Sequence, residues 1–383
     1  MKLTLTIPRS RPEHLAGIPA PEGCNAPLLK LTDSAGMTHI AERDPSVPIY
    51  HVQLSGLEGG QEVTFEAEPV DSADGAGGIL CDQSNGKLDI SLGGSPLMAF
   101  HHGSEYPKPV INPILTPGGT NMLREPMEAW TDPTVGEHPW QRGLTLMQGA
   151  INGVDCWNEQ SWETDGRTKQ DGMTVTHGPQ SLVIASDNSW YQGDKKLMTD
   201  SRSYRLFDGD RNAAVLDIAL TLKASEGAVT IGDTKEGGFL CIRVNPSMNA
   251  NGRTVLHPNV QDRSIDIFDA DGHVRNAYGA TDETGCWSLP SHWMDYYGQV
   301  GDEVAGFAIF DHPKNFRYPT AWHVRGYGLF APNCWMFKPD HHLEAGGELT
   351  FRWRVTIHTG DTEAADIANR FLDYVDGPRV KWT

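Results

Sequence analysis

The feature that most constrains the fold is a strict two-residue alternation near the end of the chain. Over Glu348–His358 polar residues alternate with apolar ones, namely Leu349, Phe351, Trp353, Val355 and Ile357. Successive side chains of a β-strand point to opposite faces, so this segment predicts a long strand with one buried face. Shorter alternating runs, such as Ala213–Lys223 and Glu303–Phe310, repeat the pattern.

Turn-forming residues separate these runs. The 41 glycines and 25 prolines are spread along the chain, and Asn85-Gly86 lies between two strand-like segments, as in a hairpin turn. Helix-length periodic segments do not alternate with the strands, which argues against a doubly wound α/β sheet. The sequence therefore predicts an all-β protein built on a large antiparallel β-sandwich.

One break in the pattern divides the chain into two predicted domains. Residues 68–78, EPVDSADGAGG, are acidic and glycine-rich, as in a linker or long loop. We expect a small N-terminal β lobe over residues 1–77 and the large sandwich over residues 78–383. A helix is expected over residues 362–376, capped by Asp361 or Thr362, ended by Gly377-Pro378 and packed on the outside of the sandwich.

The charge balance excludes several classes of partner. The chain has 31 Lys and Arg residues against 50 Asp and Glu residues, a formal charge of −19. Nucleic acids and anionic membranes bind basic surfaces, so neither is expected as a partner. No apolar run approaches the roughly 18 residues of a transmembrane helix, and no signal peptide is recognisable. The six scattered cysteines indicate reduced thiols in a cytoplasmic protein.

Four polar segments interrupt the β pattern and carry the candidate site residues. They contain YPKPVINPILTPGG with EHPWQRG, then INGVDCWNEQSW, then GDTKEGG, and finally SHWMDYYG with DHPKNFRYPTAWHVRGYGLF. In the third segment Asp233, Lys235 and Glu236 can supply a general base and a cation that tunes it. The alternative interpretation is a charged turn on the surface.

The fourth segment suits a sugar. Trp322 and Tyr327 offer flat faces for a pyranose ring, while His323 and Arg325 can bond its hydroxyl groups. The alternative is a loop whose aromatic residues fill a small core of their own. No metal-binding, phosphate-binding or dinucleotide signature is present, so we expect no cofactor and no metal, with a divalent cation left open.

At these segments the chain resembles the uncharacterised bacterial family labelled methane oxygenase PmoA-like, over residues 80–375. The resemblance implies a galactose-mutarotase-like supersandwich. By position it points to the polar residues His138, Arg142, Asp233, Lys235, Glu236, His312, His323 and Arg325. The family has D-H-P-H-H-R-G where this chain has EHPWQRG, so Trp140 and Gln141 replace two histidines. Trp140 would suit a stacking platform for a sugar ring.

These observations predict a carbohydrate-active enzyme that cleaves a glycosidic bond, by hydrolysis or by elimination from an oxidised sugar. Glu236 or Asp233 would act as base, Lys235 would tune it, and His138 or His312 would act as acid. The predicted substrate-binding residues are Arg142, Trp140, Trp293, Asp295, Trp322, His323, Arg325 and Tyr327. We expect Glu236, His312 and His323 to share one pocket.

Two alternatives stay open. A sugar mutarotase or epimerase needs only an acid and a base at the anomeric carbon, which His312 and Glu236 could supply. A non-catalytic carbohydrate-binding protein would use the aromatic loops without turnover. In either case Trp157 and Trp162 are further candidate platforms, whereas Trp353 is expected in the core.

Overall fold

The computed structural model of the protein describes residues 1–45, 47–72, 78–125, 127, 138–159, 161, 163–210, 213–255 and 267–383. The N-terminal strands are short and follow one another closely. They are β1 (Lys2–Thr6), β2 (Arg11–Pro19), β3 (Leu28–Asp33), β4 (Thr38–Arg43), β5 (Ile49–Leu57) and β6 (Glu62–Val70).

The middle of the chain has five short strands followed by four long ones. They are β7 (Ile79–Ser84), β8 (Lys87–Leu92), β9 (Ser95–His101), β10 (Val110–Ile114), β11 (Leu144–Met147), β12 (Gly166–His177), β13 (Ser181–Gln192), β14 (Lys195–Asp210) and β15 (Ala213–Lys223). The predicted Asn85-Gly86 turn joins β7 to β8, which confirms that hairpin.

The last part of the chain adds twelve strands and two α-helices. The strands are β16 (Val229–Ile231), β17 (Phe239–Arg243), β18 (Arg253–Val255), β19 (Ile267–Asp269), β20 (Gly272–Asn276), β21 (Trp293–Val300), β22 (Glu303–Asp311), β23 (Ala321–Val324), β24 (Leu329–Asn333), β25 (His341–Leu343), β26 (Glu348–Thr359) and β27 (Arg379–Trp382). The helices are α1 (Asp282–Cys286) and α2 (Ile367–Val375), and Pro246–Met248 forms a 3₁₀ turn.

These strands form three large antiparallel sheets. The N-terminal sheet has the order β2-β5-β4-β3-β6-β1-β27. A short-strand sheet has the order β23-β24-β17-β11-β10-β9-β8-β7, and a long-strand sheet has the order β12-β13-β14-β15-β26-β22-β21-β20. The two eight-stranded sheets pack on one shared hydrophobic core, so the predicted β-sandwich is confirmed.

The core follows from the alternation in the sequence. Phe351 and Trp353 of β26 enter it from the long-strand sheet, and Leu240 and Ile242 of β17 enter it from the short-strand sheet. Because neighbouring side chains in a strand alternate, the residues between them face outward from the sandwich. Each sheet therefore has an outer face on which polar groups can be placed.

The N-terminal sheet packs on the outer face of the long-strand sheet. Arg205 lies on β14 between core residues, and its guanidinium reaches across to Glu42 and Asp44 at 3.0 Å each. Ser181 donates a hydrogen bond of 2.5 Å to the same Glu42. This contact leaves the outer face of the short-strand sheet clear of the N-terminal lobe.

The last strand of the chain returns to the N-terminal sheet. Strand β27 pairs antiparallel with β1, with Leu3 opposite Trp382. Residues 379–382, which the sequence analysis placed in the sandwich, therefore belong to the other sheet. The pairing joins two strands that are far apart in the sequence. Strand periodicity is local, so it could not predict this contact.

The C-terminal helix is shorter than predicted. Thr362–Asp366 form turns, in which Asp361 accepts a 2.8 Å hydrogen bond from the backbone N–H of Ala364, and Asp366 has a left-handed φ of 53°. That conformation prevents the turns from continuing into α2 as one helix. The helix packs on the outside of the sandwich as expected, with Phe371 against Trp293 and Phe310.

Two further expectations concern membranes and thiols. Within the described ranges, no helix combines the length and the apolarity needed to cross a bilayer. All six cysteines are free thiols, and four of them are buried.

Candidate functional site

The order of the short-strand sheet brings the polar segments of the sequence together. Strands β24, β17, β11 and β10 are direct neighbours, and each overlaps one of those segments or directly adjoins it. In β17, Leu240 and Ile242 face the core, so Cys241 faces outward. It joins Met147 and Ala331 in a small apolar floor on the outer face.

Trp157 packs on this floor and covers it on the side away from the sheet. Its side chain is fully buried against the floor residues, and Trp140 and Tyr327 pack at the edge of the same cluster. Trp157 was expected to be an open stacking platform, but its burial makes it part of the floor. Trp162, the other tryptophan of that segment, lies outside the described residues.

His323 lies beside the floor on β23, opposite Ala331. It is 1% exposed, and its ring centroid is 6.1 Å from that of Trp157. Burial, together with the charges of Arg325, Lys235 and His138, lowers the pKa of His323 to about 3. The imidazole is therefore neutral at physiological pH. Neither ring nitrogen has a hydrogen-bond partner among the residues that the structure describes.

His138 and Tyr327 form a stacked pair next to this histidine. Their ring centroids are 5.3 Å apart with an interplanar angle of 10°, and Trp140 meets the His138 ring edge-on at 5.6 Å. The Arg243 guanidinium lies 4.4 Å from the centre of the Tyr327 ring and donates to Gln141 Oε1 at 2.7 Å. The structure thus brings together the predicted residues His138, Trp140, His323 and Tyr327.

A buried ionic network supports this face from one side. Glu159 accepts from Lys108 Nζ at 2.5 Å and from Arg142, and all three side chains are nearly inaccessible to solvent. Lys108 also donates to the carbonyl oxygen of Trp157 at 3.0 Å, which fixes the residue that closes the floor. Arg142, predicted to bind substrate, is therefore committed to Glu159. Lys108 and Glu159 were missed as individual residues, although both lie in the quoted polar segments.

The GDTKEGG loop forms another side. Asp233 accepts a 2.7 Å hydrogen bond from the backbone N–H of Phe337, so it shapes the turn and does not face the floor. Lys235 and Glu236 form an ion pair of 3.2 Å and are half-exposed. Burial raises the pKa of Tyr327, and the charge of Glu236 raises it as well, against the lowering by Arg243.

Gly238 explains why this loop ends in glycine. Its φ is +116°, and a Cβ there would clash with the carbonyl oxygen of Pro332 on β24. Its backbone N–H donates to Gln148 Oε1 at 2.9 Å. The loop is thereby held against the neighbouring strand, with Glu236 at the rim of the floor.

Arg325 lies at the edge of the site. Its guanidinium pairs with Glu283 at 2.6 Å and lies 5.5 Å from the ring centre of Trp287. Its predicted contact with a substrate would compete with the Glu283 ion pair.

Four predicted site residues lie elsewhere. Trp322 is in the main core and donates to the Ser291 carbonyl oxygen at 3.0 Å. Trp293 lies under α2. Asp295 is fully buried on the outer face of the long-strand sheet, where His358 and Thr362 bond it at 2.9 and 2.6 Å.

His312 is the fourth, and it does not share a pocket with His323. It lines a cavity of about 170 Å³ between the long-strand sheet and the N-terminal lobe. Its ring is 5.5 Å from that of Tyr374 on α2. Burial, together with the charges of Arg352 and Lys314, lowers the pKa of His312 to about 4. The sandwich core separates it from the short-strand sheet, so the single-pocket expectation does not hold for His312.

Metal ligands do not cluster within the part of the chain that the structure describes. No group of three His, Cys, Asp or Glu side chains in those ranges is arranged to hold an ion.

The fold and this face define a β-sandwich protein with a histidine and aromatic site on the outer face of one sheet. A model of a family of unknown function (DUF6807) matches residues 87–372. The chain belongs to this family, and the match runs from β8 into α2, so it covers both sheets of the sandwich. No curated protein matches the chain.

Proposed function

We propose that the protein is a carbohydrate-active enzyme that cleaves a glycosidic bond on the outer face of the short-strand sheet. The observation that carries the proposal is His323, a buried neutral imidazole beside the apolar floor, whose two ring nitrogens have no hydrogen-bond partner among the described residues. Buried polar atoms are normally hydrogen-bonded, so such a side chain points to a polar ligand. The half-buried rings of Trp140 and Tyr327 at the edge of the floor suit the C–H face of a sugar. The resemblance to the methane oxygenase PmoA-like family, which implies a galactose-mutarotase-like sandwich, supports the same substrate class.

Elimination from an oxidised sugar fits the described groups better than hydrolysis. Hydrolysis needs two opposed carboxyl groups, and Glu159 is already bound by Lys108 and Arg142. That leaves Glu236 as the carboxylate at the rim of the described site. Elimination needs one base, one acid and a donor for the developing oxyanion.

The residues can be assigned to the steps of this elimination. In a 3-keto-glycoside, Glu236 removes the proton on C2 and the C1–C2 double bond forms as the C1–O bond breaks. The leaving alcohol takes a proton from His138. His323, neutral because its pKa is lowered, donates a hydrogen bond to the enolate oxygen at C3, since a neutral imidazole is suited to polarise a carbonyl group.

The test uses purified protein with a panel of 3-keto-glycosides and their unoxidised parents. We expect release of the aglycone and an unsaturated sugar from the keto series and no release from the parents. The Glu236→Gln variant should lower kcat by about 100-fold or more, because the base is lost. Release from the parents alone would favour hydrolysis, and no turnover of either series by folded protein would refute enzymatic cleavage.

A second candidate is a carbohydrate-binding protein without turnover. The ion pair of Glu236 with Lys235 favours it, because this contact already occupies one oxygen of the carboxylate. Under this alternative Glu236→Gln leaves the affinity for sugars intact and no substrate is consumed. The remaining enzymatic alternative is a sugar mutarotase or epimerase. Polarimetry of free aldoses incubated with the protein distinguishes it from an enzyme that cleaves glycosidic bonds.

We also propose a reducing compartment, as expected for a cytoplasmic protein, because the six cysteines are free thiols.

A further inference from the structure

A second cavity lies at the side of the sandwich, between the loop after β9 and the edge strand β12. It has a volume of about 450 Å³ and is larger than the cavity that contains His312. Its walls come from both sheets and include His102, Tyr106, Thr168, Lys169, Gln170 and Tyr191. Nothing in the function proposed above uses this cavity.

The walls of this side cavity combine two aromatic rings with unused polar atoms. Tyr106 and Tyr191 are half-buried, and both line the cavity. Thr168 Oγ1, Gln170 Oε1 and His102 Nε2 are buried and have no hydrogen-bond partner within the described ranges. Thr168 is only 5% exposed, so bulk water does not readily satisfy its hydroxyl. Buried polar atoms without partners are unfavourable, and a ligand with several hydroxyl groups would satisfy them.

Tyr106 connects the side cavity to the candidate site. The Arg142 guanidinium lies 5.7 Å from the ring centre of Tyr106, and Arg142 belongs to the ionic network that supports the floor. The next residue, Pro107, accepts a 2.9 Å hydrogen bond from the backbone N–H of Thr168 in the cavity wall. Residues 106–108 thus lie between the side cavity and the candidate site and contact both.

We propose that the side cavity binds a further sugar unit of the substrate, which makes the substrate an oligosaccharide or a glycan chain end. The inference rests on the proposed function, because it takes the outer face as the place of cleavage. Tyr106 and Tyr191 provide faces for a pyranose ring, and Thr168, Gln170 and His102 bond its hydroxyl groups. The exposed Lys169 lies at the mouth of the cavity and bonds an outer hydroxyl group.

The test measures binding as a function of chain length. The probes are neutral cello-, malto-, xylo- and galacto-oligosaccharides of one to six units, titrated calorimetrically into the full-length protein. We expect one series in which affinity rises by about ten-fold or more between one unit and the longer members. Tyr191→Ala and Lys169→Ala should remove this rise, whereas Tyr191→Phe, which keeps the ring, should retain it.

The outcomes separate this inference from the proposed function. Length-dependent binding that Tyr191→Ala abolishes, together with no turnover of the 3-keto-glycosides, would support the cavity and refute the enzyme. Turnover of the 3-keto-glycosides, together with an affinity for oligosaccharides that does not rise with chain length, would support the enzyme and overturn the cavity. Absence of binding by every series would overturn the cavity as well. Lys169 is exposed, so its alanine variant guards against loss of folding as the cause.

Discussion

The environment of His323 makes a prediction about stability against pH. Its pKa is about 3 in the folded protein and 6.5 as an ordinary histidine, so between these values the unfolded chain binds the extra proton. The free energy of unfolding therefore falls as pH falls from about 6 to about 4, by up to about 1.4 kcal/mol per pH unit from this residue. His323→Asn should remove that part of the slope.

Urea unfolding at several pH values between about 4 and 7 measures this slope. His177→Asn, at an exposed position of β12, controls for the removal of a histidine as such. An unchanged slope in His323→Asn would mean that the imidazole is not held neutral by burial.

The network around Glu159 makes a second prediction at the scale of a residue. Glu159→Gln leaves the buried cations Lys108 and Arg142 without their carboxylate, and breaking a buried pair in this way costs about 3–5 kcal/mol. The matched control is Glu348→Gln, which removes a half-exposed ion pair with Lys223 and should cost no more than about 1 kcal/mol. Equal losses of unfolding free energy in the two variants would contradict the buried network.

At the scale of an element, α2 packs on the sandwich through one face. Phe371 is buried against Phe310 and Trp293, whereas the adjacent Leu372 is 38% exposed. Phe371→Ala should therefore lower the free energy of unfolding by about 3–5 kcal/mol. Leu372→Ala, in the same helix, should lower it by less than about 1 kcal/mol, since little apolar area is lost there. Similar effects in the two variants would refute this packing.

The elements also show how far the sequence could be interpreted. The alternation of Glu348–His358 predicts β26 and its buried face, and both are confirmed. The ends of α2 were less predictable, because Asp366 adopts a left-handed conformation that no residue pattern signals. Strand periodicity is a local property, so it predicts elements better than it predicts their partners.

The candidate site shows the same limit. Composition identified the segments that contain His138, His323 and Tyr327, and the structure brings these residues together. It could not separate them from His312, because the separation depends on which of two sheets each strand joins. The Lys108–Glu159 contact joins residues 51 positions apart, and it too arises only from the sheet order.

At the scale of the whole molecule, the N-terminal lobe packs on one outer face of the sandwich and leaves the other outer face clear. The ion pairs of Arg205 with Glu42 and Asp44 attach it to the long-strand sheet, and the pairing of β27 with β1 ties it to the end of the chain. The part of the outer face of the long-strand sheet around Arg205 is thereby covered. The site with His323 lies on the outer face of the opposite sheet.

The most direct test of this account compares two histidine variants. On the 3-keto-glycoside that the wild-type protein cleaves best, His323→Asn should lower kcat/KM by about 100-fold or more, because the donor to the oxyanion is lost. His312→Asn should leave kcat/KM unchanged, because His312 lies in the cavity between the lobes. Full activity in His323→Asn together with loss of activity in His312→Asn would place the reaction on the other face and contradict the account.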